Sequence, residues 1–267
     1  MSTLYHYTTI ESFFKMLQKS IICDNETRVK YLEFWAIHIL CLNDPSEMAI
    51  YWQPFEEQMK KHHSHLTKET IDSFYHFCSN YYVISLSELQ DDINMWRCYG
   101  GDGVGVAIGL DFGKIEPFNK SYETSRFIME QVYMPTKCVY VAPGELQVDS
   151  SLIEDIKKSI SERDVLSQAA SILEFHRKYI NRKHNAYAAE KEWRLIVHNS
   201  NPPLYNLKNG DVIRKYTLYK IPISAITNII LGPKLQKDAS TSKLLIDLIH
   251  LKLHDGVSIA YSDIPYR

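Results

Sequence analysis

Stretches with a two-residue apolar period and stretches with a 3.6-residue period interleave along this chain without regular strand–helix–strand alternation. That order rules against a doubly wound parallel sheet and points to an α+β fold with a mixed sheet. Tyr81 to Ser87, Val104 to Asp111, Glu192 to Val197 and Ala225 to Leu231 read as strands, as do residues 3–7, 127–133 and 137–141. A helix capped by Thr8 or Thr9 carries Ile10, Phe13, Phe14 and Leu17 on one stripe. Further helices are predicted from Asp44 or Ser46 to about Lys61, over 67–79 and from Asp91 to Tyr99. Residues 151–184 read as helical with a break near Ser161, and a last helix over 239–254 has Gly256 as its C′ residue. Residues 31–42 fit either state. Without a linker or repeat, the 267 residues are read as a single domain, 1–267.

Composition excludes several classes. Apolar residues at 45% and charged residues at 23% exclude wholesale disorder and a coiled coil. The net charge of −2 argues against a globally basic nucleic-acid binder and leaves a local basic groove open. No apolar run is long enough to span a bilayer, and the start lacks a charged segment followed by an apolar one, so no membrane partner is expected. Cys23, Cys41, Cys78, Cys98 and Cys138 are scattered singly, which disfavours a disulfide framework and a zinc site and fits a reducing, cytoplasmic setting. The run His62-His63-Ser64-His65 sits among lysines without convincing ligand spacing, so no metal is expected. The 18 tyrosines against 10 phenylalanines suit half-buried pocket walls.

Four segments could carry chemistry. In Glu190-Lys191-Glu192-Trp193-Arg194, strand alternation places Glu190, Glu192 and Arg194 on one face and Lys191 and Trp193 on the other. Paired carboxylates can accept bonds from sugar hydroxyls and stabilise a developing cation; the alternative is a solvated edge that Arg194 neutralises. Ser85 and Ser87 share a face with Tyr81 and Val83, where small hydroxyls let a planar ligand lie on the backbone; ordinary strand polarity is the alternative. His6, with Leu4 and Thr8 on its face, can bond a ribose hydroxyl or a phosphate, or serve as a hydrogen-bonded structural residue. The run Met95 to Gly105 fits neither a Rossmann fingerprint nor a P-loop. Beyond it, Gly105, Ala107 and Gly109 form a small-residue face open either to a flat ligand or to close packing. No GxSxG elbow supports nucleophilic hydrolysis.

Leu4-Tyr5-His6-Tyr7-Thr8, Asn43-Asp44-Pro45, Ile84-Ser85-Leu86-Ser87, Met95-Trp96 with Tyr99 and Gly105, Glu190-x-Glu192-Trp193-Arg194 and Ile229-Ile230-Leu231-Gly232 occur in this order. Together they resemble a bacterial family of unknown function, DUF2971. His6, then Ser85 and Ser87, then Glu190 and Glu192 more distantly resemble the three motifs of ADP-ribosyltransferases. That resemblance implies an ADP-ribosyltransferase-like α+β fold: a mixed, split β-sheet core with flanking helices. It implies NAD as substrate, cleavage of the nicotinamide–ribose bond, and transfer of ADP-ribose to a protein, nucleic acid or small molecule, as in a toxin or defence effector. Glu192 and Glu190 would be catalytic, and His6, Tyr7, Thr8, Ser85, Ser87, Tyr99 and Arg194 would bind NAD. The sequence departs from the family pattern, because histidine in the first motif usually accompanies tyrosine in the second. A non-catalytic sensing module on the same fold is the alternative.

Overall fold

The computed structural model describes residues 3–19, 22–23, 29–44, 46–62, 80–115, 130–142, 144–208, 212–253 and 256–266. The helix expected over 67–79, with Cys78, and the histidines His63 and His65 lie outside the described residues.

The chain opens with β1 (Leu4–Thr8), α1 (Ile10–Lys19), β2 (Ile22–Cys23), β3 (Lys30–His38), α2 (Ser46–His62) and β4 (Tyr81–Ser87). Next come α3 (Ile93–Cys98), β5 (Val106–Leu110), β6 (Glu130–Lys137), β7 (Val139–Val141), α4 (Ser150–Ser161) and α5 (Val165–Tyr179). Then follow β8 (Arg182–His184), β9 (Glu192–Asn199), β10 (Leu204–Lys208), β11 (Val212–Pro222), β12 (Ile226–Leu231), α6 (Ala239–Lys252) and β13 (Ser258–Tyr261). Among the described residues eleven strands join one mixed sheet, antiparallel except for β12 against β13, while β7 and β8 pair separately. The fold is α+β, as the irregular order of periodicities requires.

The sheet divides at β4. One edge of β4 pairs with β9 along its whole length, from Tyr81↔His198 to Ser87↔Glu192. The other edge is shared: β3 takes Tyr82 and Val83, and β1 takes Ser87. Between those pairings β3 and β1 diverge, and among the described residues no strand flanks Ile84 to Leu86 on that side.

Alternation along β4 sends Tyr82, Ile84 and Leu86 into a core with Leu4, Phe13, Phe34, Ile108 and Ile229. Tyr81 and Val83 enter the opposite core, with Tyr51 and Phe55 of α2, Ile156 of α4 and Phe175 of α5. Each such side chain contributes about 1.5–3 kcal/mol on burial, so both faces of β4 are pinned and its register is fixed.

Several expectations need correction. Phe14 is 44% exposed, because the buried stripe of α1 runs through Phe13, Met16 and Leu17 and Phe14 lies a further 100° round the helix. Residues 31–42 resolve into β3 and a short 3₁₀ turn, Ile39–Cys41. The helix over 151–184 does break where expected: Arg163 takes φ 53° and the Asp164 carboxylate caps α5. It ends at Tyr179, however, and Arg182–His184 form a strand beside β7. The last helix closes at Leu253, whose extended backbone ends it before Gly256. The strands β10, β11 and β13 escape the sequence reading, since their alternation is blurred by exposed apolar residues such as Val212 and Ile213.

The small-residue face of β5 is filled by the chain itself. A Cβ at Gly105 would lie 2.2 Å from the Thr8 carbonyl oxygen, and one at Gly109 would lie 2.0 Å from Asn228 Oδ1. Close packing, not a ligand, explains these glycines. Gly105→Ala is expected to destabilise the fold by about 1–3 kcal/mol, because the obstacle is backbone. An unchanged melting temperature would show that β1 can yield. Among the described residues, no helix is long and apolar enough to cross a membrane.

Candidate active site

The pairing of β1, β4 and β9 brings the three motif regions side by side: Ser87 faces Tyr5 of β1 on one edge and Glu192 of β9 on the other. Where β1 and β3 part, His6 bridges the gap, with Nδ1 at 2.9 Å from the Ser85 carbonyl oxygen. A carbonyl can only accept, so Nδ1 carries the hydrogen and Nε2 of the neutral ring is an acceptor. The ring packs edge-on against Phe34 at 5.4 Å, and burial lowers its pKa despite the Ser85 bond, which keeps it neutral at pH 7.

A cleft of about 400 Å³ opens at this split. His6, Thr8, Ser85, Tyr99, Glu190 and Glu192 line it, together with Glu47, Lys183 and Arg214. Its floor is a buried ionic cluster. Lys183 Nζ lies 2.7 Å from Glu190 Oε2, 2.7 Å from Glu192 Oε2 and 3.8 Å from Glu47 Oε1. Arg194 donates from Nε to Glu192 Oε1 at 3.0 Å, from Nη2 to Glu47 Oε2 at 2.5 Å and from Nη1 to the Ile180 carbonyl at 2.6 Å. Tyr99 Oη donates to Glu190 Oε1 at 2.7 Å.

Burial by itself would raise the Glu192 carboxyl, but Arg194 and Lys183 outweigh it and hold the group down at about 2. Burial would likewise lower the Lys183 ammonium, yet Glu192, Glu47 and Glu190 raise it. Glu47 goes the other way: its burial exceeds the pull of Arg194, and its carboxyl is raised. Of the two carboxylates bound to Arg194, Glu47 is therefore the one that holds a proton more easily.

The predicted residues divide into those that face the cleft and those that hold it. Glu190 is not on the strand, as its spacing from Glu192 suggested. It ends a 3₁₀ turn, Asn185–Glu190, and Lys191 follows in the left-handed region at φ 45°. Ser87 is fully buried; its hydroxyl donates to the Glu190 carbonyl at 2.7 Å and accepts from the Leu89 N–H, so it fixes this turn rather than touching a ligand. Arg194 is also buried, at 1% exposure, and each of its three guanidinium nitrogens is engaged beneath the cleft. Tyr7 lies mostly under the wall, with its ring 4.8 Å from Trp96 and its hydroxyl donating to the Leu89 carbonyl.

Sequence reasoning missed Lys183 and Glu47. Lys183 fell in a segment read as helix. The apolar stripe through Ile172, His176 and Tyr179 would next reach position 183, and a lysine there marks the end of the helix. Glu47 sits in the first turn of α2, where acids are common, and nothing in its neighbourhood marks it as buried.

Residues 95–195 match the model of a family described as protein of unknown function (DUF2971). The matched segment contains Tyr99, Lys183, Glu190, Glu192 and Arg194, while His6, Glu47 and Ser85 lie outside it. No curated protein and no solved structure matches the chain.

Proposed function

We propose that this chain is an ADP-ribosyltransferase-like enzyme that binds NAD in the cleft, breaks the nicotinamide–ribose bond and passes ADP-ribose to an acceptor. One observation carries the reading. His6, Ser85 and the Glu190–Glu192 pair are far apart in sequence, yet they meet where the sheet splits.

Nicotinamide leaves with the electron pair of the glycosidic bond, and the ribose becomes an oxocarbenium ion. A carboxylate kept ionised beside that carbon favours the cation over the ground state, which is the condition for catalysis. Glu192 suits this role, because two cations hold it ionised at the cleft floor. Glu190 stands at the cleft with Tyr99 and Lys183 and can orient the ribose hydroxyls or take the proton of the acceptor as its bond to the ribose forms. Neutral His6 offers Nε2 to a hydroxyl of the adenosine ribose, and Ser85 provides a small, exposed wall for the nicotinamide ring.

A sensing module without turnover is the second reading. It is favoured by the pairing of both Glu192 oxygens with Arg194 and Lys183, which leaves them little capacity for a substrate. Mass spectrometry of NAD incubated with purified protein and a cell lysate separates the two. Release of nicotinamide is expected for transfer; intact NAD throughout would sink it in favour of sensing.

A further inference from the structure

We infer that Arg214 forms an anion-binding subsite in the cleft, built to take the phosphate groups of a phosphorylated ligand. Arg214 lies on β11 directly opposite Asn206 of β10, and both side chains line the same cleft as Glu190 and Glu192. Its described hydrogen bond runs from Nη2 to Asn43 Oδ1 at 2.7 Å. Among the described residues no carboxylate pairs with it, whereas Lys15, the other peripheral cation of the cleft, is paired with Glu11. The guanidinium is half-buried, and the loss of solvent lowers its pKa with only the Cys41 thiol acting against that shift. A partly desolvated cation without a counter-charge is costly unless an anion joins it.

The neighbouring Asn206 is a second, independent sign. Its Oδ1 is buried and has no hydrogen-bond partner, although buried polar atoms are nearly always satisfied. The amide carries its donor on the other branch, so with Oδ1 turned inward the same side chain can present Nδ2–H to an anion in the cleft. Arg214 and Asn206 then form a two-residue donor set, with the guanidinium fork matched to two oxygens of one phosphate. A carboxylate could use the same fork, but the two adjacent donor groups favour the larger oxygen set of a phosphate or diphosphate. The subsite extends the NAD reading by giving the diphosphate a seat, and it rests on that reading only for the identity of the ligand.

Calorimetric titration of inorganic pyrophosphate into the wild type, Arg214→Gln and Arg214→Lys tests it. The wild type is expected to bind, the glutamine variant to bind about tenfold to hundredfold more weakly, and the lysine variant to fall between them. Affinity should also decline with added salt. Equal affinity in wild type and Arg214→Gln, or no binding to the wild type, overturns the subsite. The lysine variant keeps the charge, so its intermediate affinity separates loss of a specific contact from loss of the fold. Arg214-dependent pyrophosphate binding without any nicotinamide release from NAD supports the subsite and leaves the transfer reading as the one that fails.

Discussion

Glu192→Gln is expected to slow nicotinamide release by about 100–1,000-fold, the usual cost of removing one preorganised electrostatic stabiliser. The substitution preserves shape and removes charge. It acts where that charge is most constrained: Glu192 is 4% exposed, and Arg194 and Lys183 hold its carboxyl at about 2, so the wild-type group stays ionised at any pH used for assay. The rate loss should appear in kcat, because a carboxylate that favours the oxocarbenium ion contributes little to holding neutral ribose. Glu190→Gln should instead act on KM or on acceptor transfer, since Glu190 bonds Tyr99 and Lys183 at the cleft wall. Measuring both parameters for both variants distinguishes the acids. Unchanged turnover in Glu192→Gln would remove Glu192 from the chemistry.

Arg194→Met is expected to lower stability by about 3–5 kcal/mol at neutral pH, because it leaves buried carboxylates without their main cation. For a chain of this size that corresponds to a fall in Tm of roughly 6–20 °C. The loss has a pH signature. In the wild type the Glu192 carboxyl lies below its unfolded value, so its stabilisation is complete above about pH 4.5 and fades as pH falls toward about 2. Without Arg194 the buried carboxyl of Glu192 rises above its unfolded value, and that of Glu47, already raised, rises further. The fold then favours their protonated forms, and stability is lost as pH increases. Thermal denaturation at pH 5 and pH 8 should therefore show a smaller deficit for Arg194→Met at pH 5. A deficit that is absent, or larger at pH 5, would contradict the account of the cluster.

The parts of the fold legible in the sequence were those with one clean period. β4 stands at Tyr81–Ser87 as expected, because its alternating faces meet two different cores. The strand at Glu192 and the short helix around Ile93–Cys98 were legible for the same reason, the latter aided by the Asp92 cap. His6 and Ser85 lie on β1 and β4, the strands the sequence reading assigned to them. Glu190 does not lie on the strand expected for it, because Lys191 turns the backbone into the left-handed region just before the strand begins. Lys183, only seven and nine residues before Glu190 and Glu192, was hidden by the helical reading of its segment, and Glu47 could not be found by local pattern, since its cations come from distant segments. Long-range electrostatics of that kind leave no periodic trace in a sequence.

The division of the sheet at β4 makes one strand a seam common to both halves of the molecule. The β3 half and the β1 half meet along the same seven residues, and across the gap they are joined by the His6 imidazole, which bonds the Ser85 carbonyl of β4 and packs against Phe34 of β3, instead of by a peptide ladder. A residue that lines the cleft is thus also a fastening between the half-sheets. A substitution at His6 alters the width of the opening as well as the groups around it, so recognition and architecture cannot be varied separately at that position.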